Sequence, residues 1–242
     1  MAETDNISSL KQRIVELEIE KTQLLKLVSH DVKSPFNKLY ALSNLLQLVS
    51  EDLNEEQLDY LNRMEWVIKE GLTVVRNLMD LRAIENGSIE LSLEDLPLEY
   101  ILNDIFKSYE KQSNAKNLVF NTETTNVTTR LDKRILEKVL DNLISNAVKF
   151  SAKESTIDVK LTEKNKLIQL NITSKSGPIP EEEVSSLFKR SSPLSTRPTH
   201  GESALGNGLF IAQQYAHALS GNITFSQKES EVTFKLELPK TS

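Results

Sequence analysis

The sequence predicts an all-α antiparallel helical hairpin that forms a dimeric four-helix bundle, followed by an α+β two-layer sandwich. Three observations predict it. Apolar residues recur at heptad spacing from Ile7 to Val28 and continue on a shifted stripe to Leu53. A second stripe opens at a capping box on Asn54 and stops at Gly87. From Leu96 onward, helical stripes mix with segments of period two, the pattern of helices laid on an antiparallel sheet.

Ile7, Leu10, Ile14, Leu17, Leu24 and Val28 fill a and d positions, with Lys21 at an a position. Residues 1–28 therefore read as a coiled-coil lead-in helix, in which Lys21 weakens the seam and helps to fix register. The stripe then shifts to Val32, Phe36, Leu39, Leu42, Leu46, Val49 and Leu53. The next helix has Asn54 as N-cap, Gln57 three residues later, and the stripe Leu58, Leu61, Ile68, Leu72, Val75 and Met79. A short connection makes the two helices antiparallel, so residues 29–90 form a hairpin. Its apolar face is too wide to stand alone, and two hairpins side by side cover it as a homodimer.

Residues 91–242 read as the sandwich. Pro97 to Asn114 is expected as one amphipathic helix, Leu118 to Thr125 as a strand, and Asp132 as the cap of a helix ending near Phe150. Thr156 to Leu161 and Leu167 to Thr173 alternate as strands, and Gly208 to Leu219 is helical. Asn222 to Gln227 and Glu231 to Leu238 make a hairpin. Lys189 to Gly206 has no periodicity and is basic through Lys189, Arg190, Arg197 and His200.

Composition narrows the classes. Hydrophobic residues make up 38% and charged ones 26% of 242, as in soluble globular chains. A net charge of -6 argues against nucleic acid as the main partner. With no cysteine, disulfide frameworks and thiolate metal sites are excluded, and a reducing, cytoplasmic setting is expected. No run approaches the roughly 18 apolar residues of a membrane helix. A membrane is expected only through a sensor segment upstream, since the helical pattern is already under way at the first residues.

The run Ser29-His30-Asp31-Val32-Lys33-Ser34-Pro35 carries the first chemical signal. Imidazole accepts a phosphoryl group well, and Asp31 can orient the ring and take its proton. His30 stands two residues before Val32, about 200° around the helix from the apolar stripe, so it is expected to face outward. Pro35 is expected to bend the helix beside it. Ser34, one turn on, is placed to position a water that removes the phosphoryl group. The second signal is Asp141 to Phe150. Asn142, Asn146 and Lys149 share one helix face, while Val139, Leu140, Leu143, Ile144 and Val148 cover the other. The Asn146 amide oxygen is a hard, neutral ligand suited to Mg²⁺, and Lys149 adds a charge for phosphates.

The His30 segment resembles the phosphoacceptor box of two-component sensor histidine kinases. Asn142 to Phe150 resembles their asparagine box, and Leu205-Gly206-Asn207-Gly208-Leu209-Phe210-Ile211-Ala212 resembles their second glycine box. The order of the two domains matches over nearly the whole chain. The resemblance implies a dimeric phosphoacceptor hairpin and an ATP-binding domain of the type shared with gyrase and the Hsp90 chaperones. It implies ATP with Mg²⁺ as donor, Asn142, Asn146, Lys149, Phe150, Gly206 and Gly208 about the nucleotide, and Phe188 beside a lid. It also implies autophosphorylation on His30 and transfer to an aspartate of a response regulator receiver domain.

The sequence departs from that family at its first glycine box, Asp-x-Gly-x-Gly-Ile-Pro. Aligning Ile179-Pro180 without a gap puts Ser174 at the aspartate, Ser176 at the first glycine and Pro178 at the second. A one-residue deletion keeps Gly177-Pro178 but still leaves no aspartate. That carboxylate accepts a hydrogen bond from the adenine amino group, worth roughly 1.5–3 kcal/mol. Ala204 likewise stands for the first glycine of the second box. Two alternatives therefore stand beside the kinase: a histidine phosphotransfer protein whose nucleotide domain has decayed, and a non-catalytic dimeric scaffold.

Overall fold

The computed structural model describes residues 2–50, 53–87, 89–190 and 207–241. Gly206, Ala204 and most of the basic loop lie outside the described residues, as does the His30 side chain. The chain divides into two compact units, Met1–Ser88 and Ile89–Ser242.

The first unit is two helices, α1 (Ala2–Val49) and α2 (Glu55–Glu85). Helix α1 runs unbroken through Pro35. The predicted capping box is present: Asn54 Oδ1 accepts from Gln57 N at 2.9 Å, and Asn54 N donates to Gln57 Oε1 at 3.0 Å. At the other end, Asn86 caps α2 and Gly87 takes a left-handed φ of 60°. Three contacts fix the helices antiparallel. Lys21 reaches Glu85 at 4.0 Å, Phe36 packs on Gly71, and the Lys69 ammonium lies 5.4 Å from the Tyr40 ring centre. As α1 advances from 21 to 40, α2 retreats from 85 to 69. A Cβ at Gly71 would overlap the Phe36 ring, so glycine there sets how closely the helices approach. Leu61, Ile68 and Val75 are buried within one hairpin. Leu39, Leu42, Leu46, Val49, Leu58 and Met64 stay exposed, Leu42 by 61% and Val49 by 71%.

The second unit contains β1 (Glu94–Pro97), α3 (Leu98–Ser108), α4 (Glu110–Ala115), β2 (Val119–Thr124), β3 (Thr128–Leu131) and α5 (Lys133–Phe150). It continues with β4 (Thr156–Lys164), β5 (Leu167–Lys175), α6 (Glu181–Val184), α7 (Gly208–Ala218), β6 (Asn222–Lys228) and β7 (Glu231–Pro239). Five strands form a mixed sheet in the order β2-β4-β5-β7-β6, parallel only between β2 and β4. Strands β1 and β3 form a separate antiparallel pair.

Alternation builds the core. Ile157, Val159 and Leu161 on β4, Ile168, Leu170 and Ile172 on β5, and Phe234, Leu236 and Leu238 on β7 all turn inward. They meet the apolar face of α5, where Val139, Leu143 and Ile144 are fully buried. The opposite sheet face is polar, with Thr173 Oγ1 2.8 Å from Thr233 Oγ1 and Gln169 donating to Glu237 at 2.9 Å. One wet face and one covered face is the two-layer arrangement that the alternation predicts.

Two local expectations are corrected. The single helix from Pro97 to Asn114 is two, because Tyr109 leaves helical geometry at φ −100°, ψ 3°. Its hydroxyl donates to Asp141 Oδ1 at 2.8 Å, a tertiary bond that hydrophobic spacing cannot register. The pair β1 and β3 goes unforeseen because four-residue strands are too short to show a period.

Candidate active site

Helix α5 carries the asparagines, and both of its ends are pinned. At the start, the buried Asp132 carboxylate accepts from Ile135 N at 3.1 Å, Ser92 N at 2.7 Å and Arg134 Nη2 at 3.1 Å. Burial alone would raise this carboxyl. The Ser92 and Ile135 N–H groups and the Arg134 guanidinium outweigh it and hold the carboxyl below its ordinary value. A lowered folded value means stability that is present above the unfolded value and lost as pH falls through the folded one. Asp132→Ala is therefore expected to cost about 1–2 kcal/mol near pH 7, with the gap narrowing below about pH 4. Urea unfolding of both proteins at neutral and acid pH checks this; a gap that stays constant contradicts it.

At the far end, Lys116 is 2% exposed and its ammonium donates to the carbonyls of Val148 and Lys149, both at 2.8 Å. A cation there meets the negative end of the helix dipole and satisfies carbonyls that the helix leaves open.

Beside α5 lies a pocket with about 410 Å³ of empty space, part of it open to solvent. Asn146, Ala147 and Phe150 come from α5; Ser174 from β5; Ser176, Gly177 and Ile179 from the segment after it; Leu209 from α7; Val232 and Phe234 from β7. Phe188 meets Phe234 edge-on, with ring centres 6.5 Å apart, so it packs at the end of the core. No charged side chain lines the pocket among the described residues.

Of the residues singled out in the sequence, the pocket gathers Asn146, Phe150, Ser174 and Gly177. Asn142 and Gly208 meet one another where α5 crosses α7. Asn142 Nδ2 donates to the Lys138 carbonyl at 2.8 Å, and a Cβ at Gly208 would lie 2.8 Å from Asn142 Oδ1. Asn142 is thus engaged within the protein, and a side chain at Gly208 would displace the Asn142 amide. The Asn146 side chain makes no hydrogen bond among the described residues. Lys149 does not line the pocket. Gly177 has open space about it, so crowding within the chain does not require glycine there. His30, Asp31 and Ser34 lie on α1 in the other unit, with Asp31 exposed and Ser34 half-buried. Val232 and Phe234 escaped sequence reasoning because their apolar alternation signals only a core strand.

Two family profiles match this arrangement. One, the His Kinase A (phospho-acceptor) domain, covers residues 20–87. The other, the histidine kinase-, DNA gyrase B- and HSP90-like ATPase, covers residues 131–242. The chain belongs to the sensor histidine kinase family. This histidine kinase core is 28% identical over 222 residues to the heme sensor protein HssS of Staphylococcus epidermidis, a match covering 92% of the chain and 48% of HssS. The chain therefore spans about half the length of that relative. The histidine kinase AdeS of Acinetobacter baumannii superposes with a TM-score of 0.61 at 22% identity, covering 88% of this chain and 98% of AdeS. Full-length ShkA in complex with AMPPNP gives 0.65 at 19% identity, covering 91% and 46%. These two likenesses show the fold. Among the described residues, no helix of this histidine kinase core is long and apolar enough to cross a membrane.

Proposed function

We propose that the chain is an ATP-dependent autokinase in two-component signalling, phosphorylated on His30. In this reading residues 29–90 are the dimerisation and phosphoacceptor hairpin, and residues 91–242 hold the nucleotide. An unprotonated ring nitrogen of His30 attacks the γ-phosphorus of ATP. The N–P bond forms, the bond to the β–γ bridging oxygen breaks, and ADP leaves. The proton on the other ring nitrogen passes to Asp31. The phosphoryl group then moves to an aspartate of a response regulator receiver domain, or to water positioned by Ser34.

The observation that carries this reading is the pocket itself. One helix brings Asn146 and Phe150 to the mouth of β5, and Asn146 has no protein partner among the described residues. An amide oxygen with its lone pairs unspent suits Mg²⁺, which Asn146 would help to hold and which would neutralise charge on the triphosphate. Lys149 and Gly206 would act on the phosphates, and Gly208 admits the helix N-terminus to them. The exposed stripe Leu39, Leu42, Leu46 and Val49 supports pairing with a second hairpin. The setting is cytoplasmic, with any membrane attachment supplied by sequence outside these residues.

Incubation with γ-labelled ATP and Mg²⁺ tests the proposal. Acid-labile label is expected on the wild-type chain and none on His30→Ala. Absence of label, with uptake from a phosphorylated receiver domain, would favour a phosphotransfer protein instead. Among the described residues no carboxylate lines the pocket, and that observation favours the second reading.

A further inference from the structure

The wall that would meet the base holds hydroxyls in place of a charge. Ser174 is 6% exposed and Ser176 8%, and both line the pocket with Ile179 and Phe150. Strand pairing fixes Ser174 opposite Val232, and Ser176 N donates to the Ser230 carbonyl at 2.9 Å. Their backbones are therefore held, while neither hydroxyl has a protein partner among the described residues.

A hydroxyl both donates and accepts, and it rotates to suit its partner. An ionised carboxylate only accepts. The distinction matters at the six-position edge of a purine. A 6-amino purine offers a donor at C6 and an acceptor at N1; a 6-oxo purine offers the reverse. A carboxylate rewards the first and is left facing a carbonyl oxygen by the second, which leaves a buried charge unpaired. Two rotatable hydroxyls satisfy either pattern.

We infer that the pocket of this chain takes purine nucleoside triphosphates without distinguishing a 6-amino from a 6-oxo base, because Ser174 and Ser176 present neutral hydroxyls there. The inference rests on the pocket being the nucleotide site of the kinase reading. It makes Ser174 the position at which base selectivity is lost, and it makes the phosphoryl donor a class of nucleotides and not ATP alone.

Calorimetric titration of the full chain with Mg-ATP and Mg-ITP tests it, since the two differ at the six-position edge. Affinities within about tenfold of each other are expected, because exchanging one neutral hydrogen bond for another changes little. Ser174→Asp should raise the preference for ATP by about tenfold or more over wild type. Ser174→Ala should weaken both nucleotides alike. A wild-type preference for ATP above about tenfold overturns the inference, and if His30 is labelled by ATP the kinase reading still stands. Equal binding with no label at His30 supports the inference and removes the kinase reading. Failure of both nucleotides to bind removes both.

Discussion

Asn146→Ala should lower the rate of His30 labelling by about a hundredfold or more while leaving the fold intact. Phosphoryl transfer asks little covalent chemistry of a protein. Catalysis comes from holding the triphosphate in line and neutralising its charge, so removing a metal ligand removes much of the effect. The fold should survive because the Asn146 side chain is half-buried and spends no hydrogen bond on the protein among the described residues. Asn142, one turn earlier, gives the contrast. Its amide is bonded to the Lys138 carbonyl and faces Gly208, so Asn142→Ala should disturb the meeting of α5 and α7 as well as activity. Single-turnover labelling beside thermal unfolding separates the two. Equal labelling by wild type and Asn146→Ala would remove Asn146 as the metal ligand.

Lys116→Ala should destabilise the second unit by about 3 kcal/mol, which for a unit of this size lowers its Tm by about 6–12 °C. The substitution removes two charge-assisted bonds, strands buried carbonyls at the end of α5 and leaves space where the lysine stem lay. Lys116→Met should recover the packing and lose less. The chain carries a single tryptophan, Trp66, in α2 of the first unit. Tryptophan fluorescence therefore reports on the hairpin, and far-UV circular dichroism at strand wavelengths on the second unit. Only the second transition should move. Because α5 ends at Phe150 in the pocket wall, nucleotide affinity should fall with it. A shift in the fluorescence transition alone would contradict this account.

Much of the fold was legible because it is written in spacing. The capping box at Asn54, the stop at Gly87 and the Asp132 cap lie within a few residues of the groups they bond, so local chemistry is enough to find them. The strands β4, β5 and β7 show because one sheet face is covered and the other wet. The break at Tyr109 and the pair β1 and β3 did not show. The first depends on a bond to Asp141 thirty-two residues away, and the second on strands that are too short to repeat.

The candidate site divides in the same way. The sequence by itself singled out candidates for it: the histidine beside an acid, the asparagines on one helix face, and serine where a carboxylate is expected. Only the tertiary structure decided where each lies and what it meets. Asn142 and Asn146 are alike by spacing, yet one amide is bonded within the protein beside α7 and the other opens into the pocket with Ser174. Nothing in the sequence marks Lys116 as the residue that closes α5. The physical reason is that composition and periodicity fix which face of an element is apolar, whereas the partner of a polar group depends on which other element packs against it.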